Sequence, residues 1–454
     1  MIVFSVPINA KRHRSGIMSQ IKIDLNLNRR IQLTQSPLLL MPLALAACGS
    51  SARDILIEQN EFIEGSSGND LIGPFETALW FRSNGGNDQI LGSPEKDIIH
   101  LANGENIVKT YAGDDEIYFS GWGNKLDAGL GDDTLNIELS IASPVVIDVP
   151  NEVIYRENLL SSFNNEISNF EIFDASMSSA NLTVISTDNI ETIKTGNGND
   201  SVSVRDYSAD LDGGDGNDTL IFNNNSFRET TIINLASKTY QSESGRETRA
   251  LTNFENIQII GNNKAVLIGD QNENRLSGGG GSDTIIGGDG ADTFIGGAGR
   301  DFFRFNSSDS PNEPDIIEDF AAGNTGDVLQ FNFENALSST GLSFRTLDLT
   351  SGGKKPLSTN TDILFLVGSS YVGEGQLLAA LNGSGGLQEH REQFQNSKQL
   401  CAWEHSPSNS LKISIVSDSV GDGLFADEIT TIVQLNSLGI EDYSSFNMAN
   451  FDIS

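Results

Sequence analysis

Between Gly278 and Arg304 the chain repeats itself every nine residues: GGGGSDTII, GGDGADTFI and GGAGRDFFR follow one another without a gap. Each unit carries glycine at positions 1, 2 and 4, aspartate at 6 and an apolar residue at 8. The residues left between the glycine turns are too few for a helix. They predict a short strand whose alternate side chains face opposite sides, with position 8 facing inward. Glycine permits a positive-φ turn and leaves carbonyl oxygens free to point inward, and the aspartate adds a carboxylate. Oxygen-only ligation suits a hard cation such as Ca²⁺ rather than Zn²⁺ or copper.

The same period recurs elsewhere. One unit upstream, Gly269–Ser277 reads GDQNENRLS, with Asn274 in the aspartate position. A second block holds GGDGNDTLI from Gly213, and TGNGNDSVS from Thr195 lies in the same phase. A third runs in one phase from Gly65 to Asn136. Its sixth positions read Asp70, Leu79, Asp88, Asp97, Asn106, Asp115, Asn124 and Asp133. Its eighth positions, Ile72, Phe81, Ile90, Ile99, Val108, Ile117, Leu126 and Leu135, are apolar without exception. A disordered Gly- and Asp-rich linker would not hold one phase over that length.

The spelling G-G-x-G-x-D-x-U-x resembles the calcium-binding nonapeptide of the RTX, or hemolysin-type, repeat proteins. The resemblance implies an all-β fold: a right-handed parallel β-roll or β-solenoid with a β-rich C-terminal cap. In that family two nonapeptides complete one turn, so each ion sits between units eighteen residues apart. Asp283 would then share an ion with Asp301, Asp292 with Asn274, and Asp200 with Asp218. In the first block one edge carries Asp97, Asp115 and Asp133. The other carries Asp70 and Asp88, then only Asn106 and Asn124, and Glu95 and Trp122 replace glycine at position 4, so some edges are expected to be metal-poor. The candidate calcium ligands also include Gly213, Asp215, Gly278, Gly279, Gly281, Gly287, Gly288, Gly290, Gly296, Gly297 and Gly299.

The organisation expected is a signal peptide over 1–47 (with Met18 an alternative start) and a tether over 48–64. Repeat blocks at 65–136, 195–221 and 269–304 follow, separated by β-rich spacers at 137–194 and 222–268. Neither spacer is a multiple of nine residues long, so the phase resets at each. The runs Glu166–Phe173 and Leu251–Ile260 resemble the spacers common between RTX blocks. The C-terminal cap spans 305–454. There Asp315–Phe320 and Gly326–Leu329 resemble the segment that closes RTX rolls, whose carboxylates finish the last site; an uncovered solenoid end would expose sheet edges. A short helix is expected over Glu374–Leu381, and a hairpin from Lys398–Glu404 with Leu411–Ser417, then a strand over Ile429–Leu435. Asp418–Gly423 matches a calcium loop only weakly, because Val420 and Ile429 occupy ligand positions.

The 454 residues carry a formal charge of −34, with 62 acidic against 28 basic side chains. Such a surface repels nucleic acid and anionic membranes, and bound cations would favour its compact state. The apolar run Pro37–Ala47 is too short to span a bilayer, which needs roughly 20 residues, and reads as a signal-peptide core. Leu45–Gly49 resembles the bacterial lipoprotein box, which implies lipidation of Cys48 and an outer-membrane lipid partner. With Cys401 the only other cysteine, no disulfide framework is expected. The acidic C-terminus looks like a type I secretion signal, an alternative export route that is less specifically spelled.

Catalytic motifs are poor: neither H-E-x-x-H nor G-x-S-x-G occurs. Trp80, Tyr111, Tyr118 and Trp122 are candidates for a polysaccharide-stacking face. The reading is a non-enzymatic, calcium-loaded structural or adhesive protein at the bacterial surface or outside the cell. The alternative is a polysaccharide lyase or epimerase whose base and charge neutraliser sit on the spacers, where Arg156 and Arg205 are isolated.

Overall fold

Alternation of a two- to five-residue apolar strand with a glycine turn leaves one way to bury every eighth position: stacking the strands in parallel, two sheets face to face. The computed structural model describes residues 62–141, 143–157, 164–226, 229–306, 314–322 and 325–332, with strand segments at 31–33, 54–57, 344–348, 363–371, 399–405, 410–416, 429–436 and 451–453. The fold is all-β, and no helix occurs among the described residues. The apolar run Pro37–Ala47, Cys48, the expected helix over Glu374–Leu381 and the Asp418–Gly423 loop lie outside them. Two compact units are present, one from Met1–Ser140 with Glu152–Asp174, the other from Ile141–Asn151 with Ala175–Ser454.

In the first unit successive nonapeptides alternate between two parallel sheets. One sheet stacks Leu71–Ile72, Gln89–Leu91, Ile107–Lys109 and Lys125–Asp127, aligning Ile72, Ile90, Val108 and Leu126. The other stacks Trp80–Arg82, Ile98–Leu101, Glu116–Phe119 and Thr134–Ile137, aligning Phe81, Ile99, Ile117 and Leu135. Partners are therefore eighteen residues apart (90 − 72 = 18). These eight side chains are at most 2% exposed, and burial of each contributes about 1.5–3 kcal/mol. The spacer run then supplies one more strand to each sheet, setting Ile167 beside Leu126 and Phe173 beside Leu135.

The second unit repeats the pattern. Val184, Val202, Leu220 and Ile257 align in one sheet and continue through Leu276, Phe294, Ile317 and Leu435. Opposite them, Leu267, Ile285, Phe303, Leu329 and Phe451 align. The spacer resets the phase by adding strands: Thr231–Asn234, Thr239–Ser242 and Thr248–Thr252 run antiparallel, and the two outer strands join parallel partners. Towards the C-terminus Gln399–His405, Ser410–Val416 and Ile429–Leu435 form an antiparallel meander. There the buried Trp403 donates its indole N–H to Ser414 Oγ at 2.9 Å. Cys401 is buried beside it, and burial pushes its thiol up to about 12.

Candidate metal centres

The third repeat block shows what the sixth-position aspartate does. Its Oδ1 accepts the backbone N–H of the residue eighteen positions earlier: Ala265 N–H to Asp283 (2.6 Å) and Asp283 N–H to Asp301 (2.8 Å). On the opposite edge the Asn274 N–H reaches Asp292 at 2.8 Å. The closing segment completes both columns, since Asp292 N–H donates to Asp315 and Asp301 N–H to Asp327, each at 3.0 Å. Asp319 accepts Gly296 and Gly297 N–H at 2.9 and 2.7 Å. The closing carboxylates thus continue both columns of the third block by one residue.

The second carboxylate oxygen is different. Asp283 and Asp301 are fully buried, yet Oδ2 of each has no hydrogen-bond partner. A buried, unpaired carboxylate is costly. Burial, with the neighbouring Asp301 charge, pushes Asp283 up to about 7, and burial likewise raises Asp301. Glycine gives these oxygens room. A β-carbon at Gly278 would lie 2.6 Å from Asp283 Oδ2 and 2.9 Å from the Gly296 carbonyl oxygen. Gly297 (φ +91°) and Gly299 (φ +134°) turn in the left-handed half of the map, and a side chain at either would strike the carbonyls of Gly279 and Gly281. Unpartnered carboxylate oxygens beside main-chain carbonyl oxygens, without nitrogen or sulfur, fit Ca²⁺. Among the described residues no three His, Cys, Asp or Glu side chains converge as a cluster; each site offers carboxylates from successive turns with main-chain oxygen.

The same test separates the remaining candidates into two kinds. Asp88, Asp115, Asp133 and Asp218 are buried with Oδ2 unpartnered; burial pushes Asp88 and Asp133 up to about 6, and Asp115 and Asp218 up to about 7. The turns of Asp115, Asp133 and Asp218 have a positive-φ residue at position 2, namely Tyr111, Gly129 and Gly214. That conformation recurs at Gly279, Gly288 and Gly297 in the third block.

In four turns where position 2 is not so turned, its N–H closes on the carboxylate or amide instead; Asp88, with Asn84 at position 2, lacks both the positive φ and this bond. Ser66 N–H reaches Asp70 Oδ2 at 2.7 Å, Ser93 N–H reaches Asp97 Oδ2 at 2.8 Å, and Gly196 N–H reaches Asp200 Oδ2 at 3.2 Å. In the Asn274 turn the Asp270 N–H reaches Asn274 Oδ1 at 2.8 Å. The Ser66 and Ser93 hydroxyls add a bond to Oδ1, each at 2.9 Å. In these turns the chain itself provides what a cation would provide elsewhere. Asp215 is exposed and is held through its main chain: its carbonyl accepts the Gly198 N–H at 2.9 Å and its N–H donates to the Gly196 carbonyl at 3.0 Å.

Asparagine closes its column in another way. Asn106 Nδ2 donates to Asn124 Oδ1 (2.9 Å), Asn124 Nδ2 to Asn165 Oδ1 (3.1 Å), and Asn165 Nδ2 to the Gly121 carbonyl (3.2 Å). Residues that the repeat spelling does not mark also join the columns: Asn165, Glu171 and Glu255. Glu171 accepts the Asp133 N–H at 3.0 Å and Glu255 the Asp218 N–H at 2.7 Å. The signal for Glu171 and Glu255 was the recurring Asn-Phe-Glu, at 169–171 and 253–255 and once more at 332–334.

The aromatic candidates divide. Trp80 and Tyr118 lie on the outer face of one sheet, where Tyr118 stacks on His100 with centroids 4.1 Å apart. Tyr111 and Trp122 lie on turns, Trp122 under the Arg156 guanidinium at 4.7 Å.

The family model of the RTX calcium-binding nonapeptide repeat (4 copies) matches residues 82–117 and 268–303. The first segment contains Asp88, Asp97 and Asp115, the second Asn274, Asp283, Asp292 and Asp301. No curated protein matches the chain.

Proposed function

We propose that this chain, which carries RTX calcium-binding nonapeptide repeats, is a calcium-loaded β-roll with a structural or adhesive role at the bacterial surface. One observation carries the calcium part: buried carboxylate oxygens of Asp115, Asp133, Asp218, Asp283 and Asp301 have no protein partner. Because the oxygens converge only when turns stack, binding energy becomes folding energy. Extracellular calcium modules bind at about 10⁻⁴–10⁻³ M. Circular dichroism of the full chain should lose β-structure in chelator and regain it with millimolar calcium; a spectrum indifferent to chelator overturns the reading.

Location rests on the sequence. The Leu45–Gly49 pattern supports lipidation at Cys48 and anchorage to the outer membrane, with acidic repeats in the calcium-rich medium. Cys48→Ser should move the protein to a soluble fraction and leave calcium binding intact. An unmodified Cys48 by mass spectrometry favours type I secretion. The adhesive part draws support from the outer face of the first unit, where Trp80 is half exposed beside Phe62 and Arg82, as a polysaccharide would require.

That face also favours a second, enzymatic reading. Arg82, His100 and Tyr118 sit on adjacent strands, and Tyr118 donates to Glu116 at 2.8 Å. Burial and the Arg82 charge lower His100, which favours its neutral imidazole, whereas burial and Glu116 push Tyr118 up to about 12. A neutral base beside a guanidinium is the pair a uronate lyase or epimerase needs. Release of unsaturated sugars from acidic polysaccharides, abolished by His100→Gln, would establish it.

A further inference from the structure

Each parallel roll meets its spacer through the same short turn. In Ser168–Glu171 and Thr252–Glu255 the sequence reads Ser/Thr-Asn-Phe-Glu. The asparagine adopts positive φ (+59° at Asn169, +57° at Asn253). Its Nδ2 donates at 2.7 Å to the aspartate one turn below, Asp127 or Asp212. The phenylalanine is buried. This turn takes the place of a glycine turn. Gly213 N–H donates to the Thr252 carbonyl at 2.9 Å, as Gly278 N–H donates to that of Ile295, also at 2.9 Å. The Asn253 carbonyl faces the bare α-carbon of Gly213 beside Asp218 Oδ2, as the Gly296 carbonyl faces Gly278 beside Asp283 Oδ2.

Asn253 therefore stands at position 1, and the acid follows sooner, at Glu255, where Asp301 follows Gly296 only after four residues. The additional methylene of glutamate offsets the shorter turn. Glu255 Oε2 receives the Asp218 N–H at 2.7 Å, and Asp301 Oδ1 receives the Asp283 N–H at 2.8 Å. Asp218 is fully buried, and its Oδ2 is left without a donor. Asp133, beneath Glu171, is in the same condition.

We propose that Asp218 with Glu255, and Asp133 with Glu171, each hold a divalent hard cation, Ca²⁺, in a mixed aspartate–glutamate site completed by main-chain carbonyls. The proposal rests on the calcium reading of the repeats and extends it to turns that lack the nonapeptide spelling. Each site ties a glycine turn to a spacer, so ions would bind across the phase break as well as within a block.

The test counts ions. The full chain is titrated with calcium chloride and its bound ions are counted by native mass spectrometry, for wild type, Glu255→Gln, Glu171→Gln and the double variant. Glutamine keeps an oxygen for the Asp218 or Asp133 N–H and removes only the charge. Each single variant should bind one ion fewer than wild type at equal free calcium, and the double variant two fewer. Unchanged counts in both singles overturn the mixed sites and leave the Asp283–Asp301 reading standing; a wild type that binds no calcium overturns both. Anomalous diffraction from crystals of the wild-type protein grown with a lanthanide gives an answer that no variant's folding affects. A peak between Asp218 and Glu255 supports the site, and its absence beside a peak at Asp283–Asp301 overturns it.

Discussion

The Asn106–Asn124–Asn165 column and the Asp283–Asp301–Asp327 column receive backbone N–H groups in the same way. They differ in the remaining side-chain atom. In the asparagine column it is an N–H₂ that donates to the next residue up. In the aspartate column it is an anionic oxygen, and at Asp283 and Asp301 that oxygen has nothing to accept from. One atom changed from nitrogen to oxygen converts a self-sufficient column into one with a buried oxygen left for a cation. On the calcium reading, the same backbone carries parts expected to hold without metal and parts expected not to.

The largest expected effect follows from removing the metal. In chelator, hydrogen exchange should deprotect Thr284–Ile286 and Phe302–Asn306 far more than Ile107–Lys109 and Lys125–Asp127, which flank the asparagine column. Equal loss at both places would break the comparison.

Acidity should act next, with a sign opposite to ordinary acid denaturation. Burial holds Asp115, Asp218 and Asp283 near 7, against about 3.9 in an unfolded chain. Between those values the folded, metal-free protein binds more protons than the unfolded one, so its stability rises as pH falls from 7 towards 4. Chelated protein at pH 5 should therefore show a higher melting temperature than at pH 7.5. With calcium bound, which requires ionised carboxylates, lowering the pH should destabilise instead. Melting curves in both conditions check the crossing.

A smaller effect comes from exchanging one column's chemistry for the other's. Asn124→Asp would set an oxygen against Asn165 Oδ1 in place of a 3.1 Å hydrogen bond. Asn165 Oδ1 keeps the Asn124 N–H at 2.9 Å, but the new carboxylate oxygen is buried without a donor, which costs about 1–3 kcal/mol, seen in chelator as a lower denaturation midpoint that added calcium recovers. A midpoint unmoved by calcium would mean the column cannot take an ion even when given the charge. Ser93→Ala should be the mildest. It removes the 2.9 Å hydroxyl bond to Asp97 but keeps the Ser93 N–H on Oδ2, about 1 kcal/mol, equal with and without calcium.

Strand positions, sheet alternation and the inward residues were legible because nine-residue periodicity leaves position 8 only one face to occupy. The columns were legible in the residue at position 6, but their state was not. Asp97 and Asp115 are spelled alike there, and what separates them is position 2, where Ser93 folds back and Tyr111 turns away at φ +82°. Nothing in a tyrosine announces positive φ. The spacers were legible as strands, yet their phase was hidden: Glu255 enters the column only because a turn three residues shorter is met by a side chain one carbon longer. Pattern matching at fixed spacing passes over such compensation.

The eighteen-residue register makes the roll behave like a code with a reading frame. Loss or duplication of eighteen residues inside a block leaves every later strand on its own sheet and every later side chain in its own column. Loss of nine would send each downstream strand to the opposite sheet, so that the carboxylate of Asp115 would arrive where the amides of Asn106 and Asn124 now stand. A single nonapeptide deletion is to this molecule what a frameshift is to a gene, and the spacers are where the frame can be reset without damage.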